Sequence, residues 1–197
     1  MLLNKEYQAF IDQVFLDYHA LKQETLDELY AMAKIKTLSK NEFLLRVGST
    51  AKEVYILKRG AIIAYFLDTE GNTYNKNIFL EGNLVGSTVS YLTNTPSRFA
   101  LEAIEDCEII SFNYLRYRQL INESVDFKNF YIAYLEKNWV IEKEKREIDI
   151  VMTDATARYQ ELLASYPGLD KRIPLVHIAS HLGITPTQLS RIRKKIQ

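Results

Sequence analysis

Residues 53–86 read EVYILKRGAIIAYFLDTEGNTYNKNIFLEGNLVG. Three runs rich in β-branched and aromatic residues, 53–57, 61–67 and 73–80, are separated by glycine or by turn residues. Five of the seven glycines (Gly48, Gly60, Gly71, Gly82, Gly86) fall in this neighbourhood, the first four spaced by 12, 11 and 11 residues. Strands of this length and spacing read as an antiparallel sandwich or small barrel. Asp68-Thr69-Glu70-Gly71-Asn72 has the composition of a hairpin turn between two of the strands. Further strands are expected at 99–104 and 108–113.

Outside this block the apolar period changes from two to about 3.6, the helical value. Short amphipathic helices are expected at 4–18, 24–34 and 115–121. A long helix over 124–152 follows, free of Gly and Pro. Phe127, Tyr131, Tyr134, Asn138, Ile141, Lys145, Ile148 and Met152 share an alternating 4,3 spacing, and six of these eight are apolar or aromatic. That is the pattern of a two-stranded coiled-coil seam. The charged run 142–147 favours a dimer helix; the alternative is that the stripe packs on the barrel.

The chain has 25 basic and 25 acidic residues, and taken whole that balance argues against a nucleic-acid partner. The distribution argues otherwise. Residues 151–197 carry seven basic and three acidic side chains, so a net +4 faces −4 in residues 1–150. From Lys171 to Gln197 there are six basic residues and no acidic one. A helix is expected over 153–166, ended by Pro167-Gly168. Pro174 then opens another through Leu182, stopped by Gly183. Thr185-Pro186-Thr187-Gln188 is a strong start for the last helix: a capping hydroxyl, a proline at the first position, and a capping-box Gln.

Two helices joined by a short glycine-containing turn form a helix-turn-helix. Ala179 lies where they cross. Leu189, Ile192 and Ile196 cluster within about 60° on the wheel and face inward. Thr187, Arg191 and Lys194 lie opposite, flanked by Gln188, Ser190 and Lys195, with Thr185 at the helix start. This face can offer side chains to base edges while its cations neutralise phosphates. Arg191 suits bidentate readout of guanine, whereas Arg193 lies nearer the packed face. Gln188 is divided between capping and base contact. An ordinary helical hairpin with a solvated face is the alternative.

The whole chain resembles the bacterial transcription regulators of the cyclic-AMP-receptor/Fnr type. The most specific pieces are Gly82-Asn83-Leu84-Val85-Gly86, Arg98, and the helix-turn-helix over 175–196. The resemblance implies an α+β fold over three segments. Residues 1–123 would form a cyclic-nucleotide-binding-like β-roll (a jelly roll), 124–152 a dimerisation helix and 153–197 a DNA-binding domain. Phe127, Tyr131, Tyr134, Ile141 and Ile148 are the dimer contacts this organisation suggests. The family usually adds a winged hairpin after the recognition helix, and this sequence stops at Gln197. Double-stranded DNA, a second copy of the chain and RNA polymerase are the implied partners.

In that family a Gly-x-x-x-Gly-Glu stretch and an Arg followed by Ser or Thr hold a cyclic phosphate and its ribose. Here Gly82, Gly86 and Arg98 match, but Ser87 stands in place of Glu and Phe99 in place of the hydroxyl residue. Losing the carboxylate removes a charge-assisted hydrogen bond, on the order of 1.5–3 kcal/mol. Phe99 either crowds the phosphate position or points outside. A regulator without a ligand, or one reading another small anion through Arg98, is therefore preferred over a cyclic-nucleotide cofactor. The competing reading of Arg98 is a surface or ion-paired arginine on a strand, with Glu102 along the same face.

Other chemistry finds little support. Cys107 has no partner for a disulfide and cannot alone hold zinc or an iron–sulfur cluster. A metalloenzyme barrel needs several histidines, yet His19 is the only one before residue 177 and lies outside the expected strands. His177 and His181 sit i, i+4 without a convergent third ligand. No nucleophile elbow, Walker loop or dinucleotide fingerprint occurs, so no catalytic residue is assigned. No 18-residue apolar stretch or signal-peptide pattern appears, which points to a cytoplasmic protein with no membrane partner. The leading expectation is a homodimeric DNA-binding regulator. The alternative is a ligand-binding or protein-interaction module with a degenerate helix-turn-helix.

Overall fold

The computed structural model describes residues 3–67, 70 and 73–196. Among these, two helices, α1 (Lys5–Leu16) and α2 (Gln23–Met32), precede the strands β1 (Lys34–Leu38), β2 (Phe43–Leu45), β3 (Glu53–Arg59), β4 (Ile62–Leu67), β5 (Thr73–Phe79) and β6 (Leu84–Val85). A short helix α3 (Thr88–Thr93) leads to β7 (Ala100–Ala103) and β8 (Cys107–Asn113). The expected strands all form. The turn expected at 68–72 lies, apart from Glu70, outside the described residues.

The strands make two antiparallel sheets, ordered β1-β8-β3-β6 and β2-β7-β4-β5, stacked as a jelly roll. Strand alternation divides the core into three layers. Tyr55, Leu57, Ile62, Ala64, Leu101 and Ile109 face each other between the sheets. On the outer face of the first sheet, Val54, Ile56, Ile110 and Phe112 lie under α1 and α2. On the outer face of the second, Ala61, Ile63 and Tyr65 meet the C-terminal helices. This explains why 61–67 reads as an unbroken apolar run: β4 is covered on both faces, and its residues 62–65 are all buried. The turn into β4 needs Gly60, whose φ is +100° and whose Cβ would stand 2.6 Å from Cys107 Sγ.

After β8 come α4 (Tyr114–Glu123) and α5 (Val125–Leu135). The expected long helix then continues through a π-helical turn (Glu136–Ile141) into α6 (Glu142–Met152). Asp126 anchors its start: the carboxylate accepts from Lys22 N–H at 2.7 Å and from the hydroxyls of Thr25 and Ser124. Burial opposes this charge, but the donors hold its pKa down to about 2. The C-terminal part comprises α7 (Ala155–Ser165), α8 (Leu169–Arg172), α9 (Leu175–His181) and α10 (Pro186–Ile196). Among the described residues, no helix is long and apolar enough to cross a membrane.

The uniform seam expected along 124–152 needs correction in its first half. Phe127 is fully buried inside its own chain, and Tyr131 and Tyr134 pack against the same cluster. Phe127 lies 5.6 Å from Phe15, 5.0 Å from Tyr117 and 5.2 Å from Phe130 (ring centroids). The π-turn adds a residue to one helical turn and rotates the apolar stripe, so a strict heptad cannot hold across it. Ile141 at the end of the turn, and Ile148 and Met152 beyond it, are exposed.

Candidate functional site

The glycine-rich stretch after β5 forms a tight turn. Gly82 takes φ +84° and donates its N–H to Leu57 O at 2.8 Å, while Asn83 Oδ1 accepts from Leu80 N–H at 3.0 Å. Gly86 lies where an added Cβ would stand 3.1 Å from the Tyr91 ring, so close packing explains it. Ser87 is buried, and its hydroxyl pairs with that of Ser97 at 2.9 Å. Ser97 Oγ in turn donates to Phe99 O at 2.8 Å. The position where the resemblance calls for a carboxylate is thus tied inward by a serine pair.

Phe99 resolves its two alternatives. Its ring is inside the roll, 5.7 Å from Phe66, with Lys76 Nζ 4.6 Å from its centroid. Arg98 is exposed and, among the described residues, has no ion pair or hydrogen bond. Of its two competing readings the surface arginine fits, and no pair with Glu102 forms; Glu102 instead accepts from the Tyr65 hydroxyl, which burial and this carboxylate push up to about 12. A cavity of about 200 Å³ beside Ser87 is lined by Leu44, Leu45, Tyr55 and Leu101. It is smaller than the roughly 300–1,000 Å³ of usual small-molecule sites.

The C-terminal helices close with the expected local chemistry. Gly183 adopts φ +69° and donates to Ser180 O at 3.2 Å, while Ile184 N–H reaches Ala179 O at 3.0 Å. This paired closure ends α9 and turns the chain sharply. Thr185 and Gln188 then form a reciprocal capping box. Thr185 N–H donates to Gln188 Oε1 at 2.8 Å, and Gln188 N–H to Thr185 Oγ1 at 3.1 Å. Both polar oxygens are therefore committed to the helix start, which leaves Gln188 its amide N–H groups. Leu189 is fully buried, whereas Thr187, Ser190, Arg191, Lys194 and Lys195 are exposed on α10. Arg193 turns inward to Asp170 at 3.4 Å.

Residues 35–124 match the cyclic nucleotide-binding domain family. The cAMP-activated global transcriptional regulator CRP of Pasteurella multocida is 21% identical over 184 residues, covering 88% of this chain and 87% of the relative. FixK2 from Bradyrhizobium japonicum superposes with a TM-score of 0.68 at 19% identity, over 83% of this chain and 84% of that one. The c-di-GMP responsive global regulator CLP of Xanthomonas campestris gives 0.67 at 17%, over 89% and 92%. Residues 35–124 thus carry a cyclic nucleotide-binding domain, and the chain as a whole has the fold of these solved structures.

Within that fold, ties between the two halves appear that the sequence does not announce. By sequence Arg172 counts among the cations of the acid-free segment. In the fold it bonds Glu81 at 2.5 Å, Glu105 at 2.8 Å and Gly60 O at 2.8 Å. Arg158 binds the carbonyls of Thr153 and Leu182, the latter at 3.1 Å, linking the end of the long helix to the end of α9. Asn75 of β5 donates its side-chain amide to His177 O at 3.0 Å and its backbone N–H to Ser180 Oγ at 2.8 Å. Most of these partners lie far apart in sequence, and no local spacing marks them.

His177 and His181 both belong to this seam. His177 Nδ1 lies 3.3 Å from Asn75 Nδ2, and His181 Nδ1 lies 3.5 Å from Arg146 Nη2. Burial, then the Arg146 charge, pushes His181 down to about 4; burial also lowers His177. Neutral imidazoles thus stabilise the seam above the ordinary histidine pKa of about 6.5. As pH falls from there toward 4, the unfolded state takes up protons that the folded state refuses. The histidine contribution to stability should fall by on the order of 3 kcal/mol across that window, and the loss of the carboxylate contributions follows at lower pH. Urea midpoints measured against pH will show this slope, and His181→Asn should flatten most of it. Asp126, held down to about 2, contributes its own loss mainly below that window.

Proposed function

We propose that this chain is a homodimeric, sequence-specific DNA-binding transcription regulator that does not respond to cyclic AMP in the usual way. The observation that carries the reading is the outer face of α10. A helix held at its start by a capping box and at its centre by buried Leu189 presents Thr187, Ser190, Arg191, Lys194 and Lys195 to solvent. Among the described residues, no ion pair restrains Arg191, Lys194 or Lys195. Arg191 would read a base edge, and the lysines would neutralise phosphates. The exposed Ile141, Ile148 and Met152 supply a dimer face that sets two such helices about one DNA turn apart.

The cyclic-AMP part of the proposal rests on the cassette. Ser87 is engaged by Ser97 where a ribose-binding carboxylate would be needed, and the Phe99 ring fills roll interior. The test is a genomic-fragment binding selection with the full chain and with Arg191→Ala. A palindromic site should be enriched, and the variant should bind it about 10- to 100-fold more weakly. Affinity for that site should fall steeply with added salt. No enriched site at all would overturn the regulator reading.

A further inference from the structure

We infer that α10 reads DNA with a face of hydrogen-bond donors: Arg191 selects guanine, and Gln188 serves the helix start without adding base identity. The half-site is then fixed by guanine and thymine oxygens and not by adenine or cytosine amino groups. This rests on the reading of α10 as the DNA-contacting helix, and names the base chemistry that helix accepts. In the major groove, guanine presents two acceptors, N7 and O6, and thymine one, O4. Cytosine presents an amino donor, and adenine a donor beside a single acceptor. Which base is preferred follows from what the protein face can donate and accept.

Thr187, Ser190, Arg191 and Lys194 share one side of α10 at helical spacing, flanked by Gln188 and Lys195, and all six are exposed. Arg191, Lys194 and Lys195 are donors with no acceptor. No Asp or Glu follows Asp170 in the sequence. Asp170 itself is engaged by Arg193 of α10 at 3.4 Å and by the Tyr159 hydroxyl at 3.2 Å. The face therefore holds no carboxylate to accept from cytosine N4. Gln188 decides the case of adenine. A bidentate grip on adenine needs the amide oxygen and nitrogen turned to the base together. Here Oε1 accepts from Thr185 N–H at 2.8 Å, and because that partner is an N–H, the oxygen and not the nitrogen faces it. Gln188 N–H in turn donates to Thr185 Oγ1 at 3.1 Å. Turning the amide to adenine would break the first bond and leave Thr185 N–H without its partner at the helix start. What Gln188 still offers is Nε2, a donor like its neighbours. Among the described residues of α10, the acceptors left on this face are the hydroxyls of Thr187 and Ser190. Both also donate, so they discriminate weakly between bases. Such a face meets guanine first and thymine second.

The experiment selects bound duplexes from a random-sequence library with the full-length protein, then changes single atoms in the selected site. 7-Deazaguanine, in which C–H replaces the N7 acceptor, should weaken binding at least about fivefold at one guanine of each half-site. Arg191→Ala, assayed at lower salt where its affinity is measurable, should be indifferent to that replacement. Hypoxanthine at the same position keeps N7 and O6, and should bind within about twofold of guanine. Gln188→Glu keeps an oxygen for Thr185 N–H, so the helix start survives. Its added negative charge should lower affinity for all duplexes alike, and no base preference of the parent should be lost. A selected site that ignores 7-deazaguanine at every position would overturn the inference while leaving DNA binding in place. So would a base preference that disappears in Gln188→Glu. Enrichment of no site at all would overturn both this inference and the DNA reading on which it stands.

Discussion

Phe127→Ala is expected to lower the free energy of unfolding by about 3–5 kcal/mol, the usual cost of deleting a fully buried aromatic ring. Phe127 is 0% exposed and packs among Phe15, Tyr117 and Phe130, so the deletion leaves a cavity between α1, α4 and α5. The measurement is urea unfolding at several protein concentrations. Loss of an intrachain contact shifts the midpoint equally at all of them, whereas loss of a dimer contact makes the shift depend on concentration. Phe127→Ala should show the first behaviour. Ile148→Glu, on the exposed stretch of α6, is the control that should show the second. A concentration-dependent loss for Phe127→Ala would return this residue to the dimer seam.

The sequence exposes this division only partly. A 4,3 spacing records that residues share a helix face; it does not record what covers that face. Phe127 and Ile148 obey the same spacing, yet one meets α1 and the other meets solvent. The π-turn between them has no compositional mark, since it adds one residue without Gly or Pro. The roll is readable because glycine, alternation and β-branched residues agree over 53–113. Strands β2 and β6 escape because they are three and two residues long, too short for a period to emerge, and β1 because none of its five residues is buried, so it shows no apolar face. The helix-turn-helix is the most legible part. Its Thr185–Gln188 box and its Gly183 turn are fixed by bonds spanning no more than five residues. The same locality misleads the charge argument. Six basic residues in the last 27 suggest six cations for DNA, yet Arg172 and Arg193 are held by Glu81, Glu105 and Asp170. Pairing across 67 or 91 residues is a property of the fold.

Tyr159→Ala is expected to destabilise the whole chain and not only its C-terminal helices. Tyr159 is 1% exposed in a core shared between α7–α10 and the outer face of β4 and β7, with Ile63, Ala100 and Ile178 in the same cluster. Its hydroxyl lies 3.2 Å from Asp170 Oδ2, the carboxylate that also receives Arg193 from α10. Removing the ring should cost about 3–5 kcal/mol. For a chain of this size that lowers the melting temperature by roughly 10 °C. Tyr159→Phe should cost only about 1 kcal/mol, the hydrogen bond alone. Because sheet and helices share the cluster, calorimetry should show one transition moving down as a unit. Two separate transitions, with the roll melting where it does in the parent chain, would show that the C-terminal helices fold independently. The shared core also ties stability to function. If α10 is held in place through Asp170 and Leu189, Tyr159→Ala should weaken DNA binding although residue 159 is buried away from the exposed α10 face. An unchanged DNA affinity beside a lowered melting temperature would mean that α10 is positioned without Tyr159.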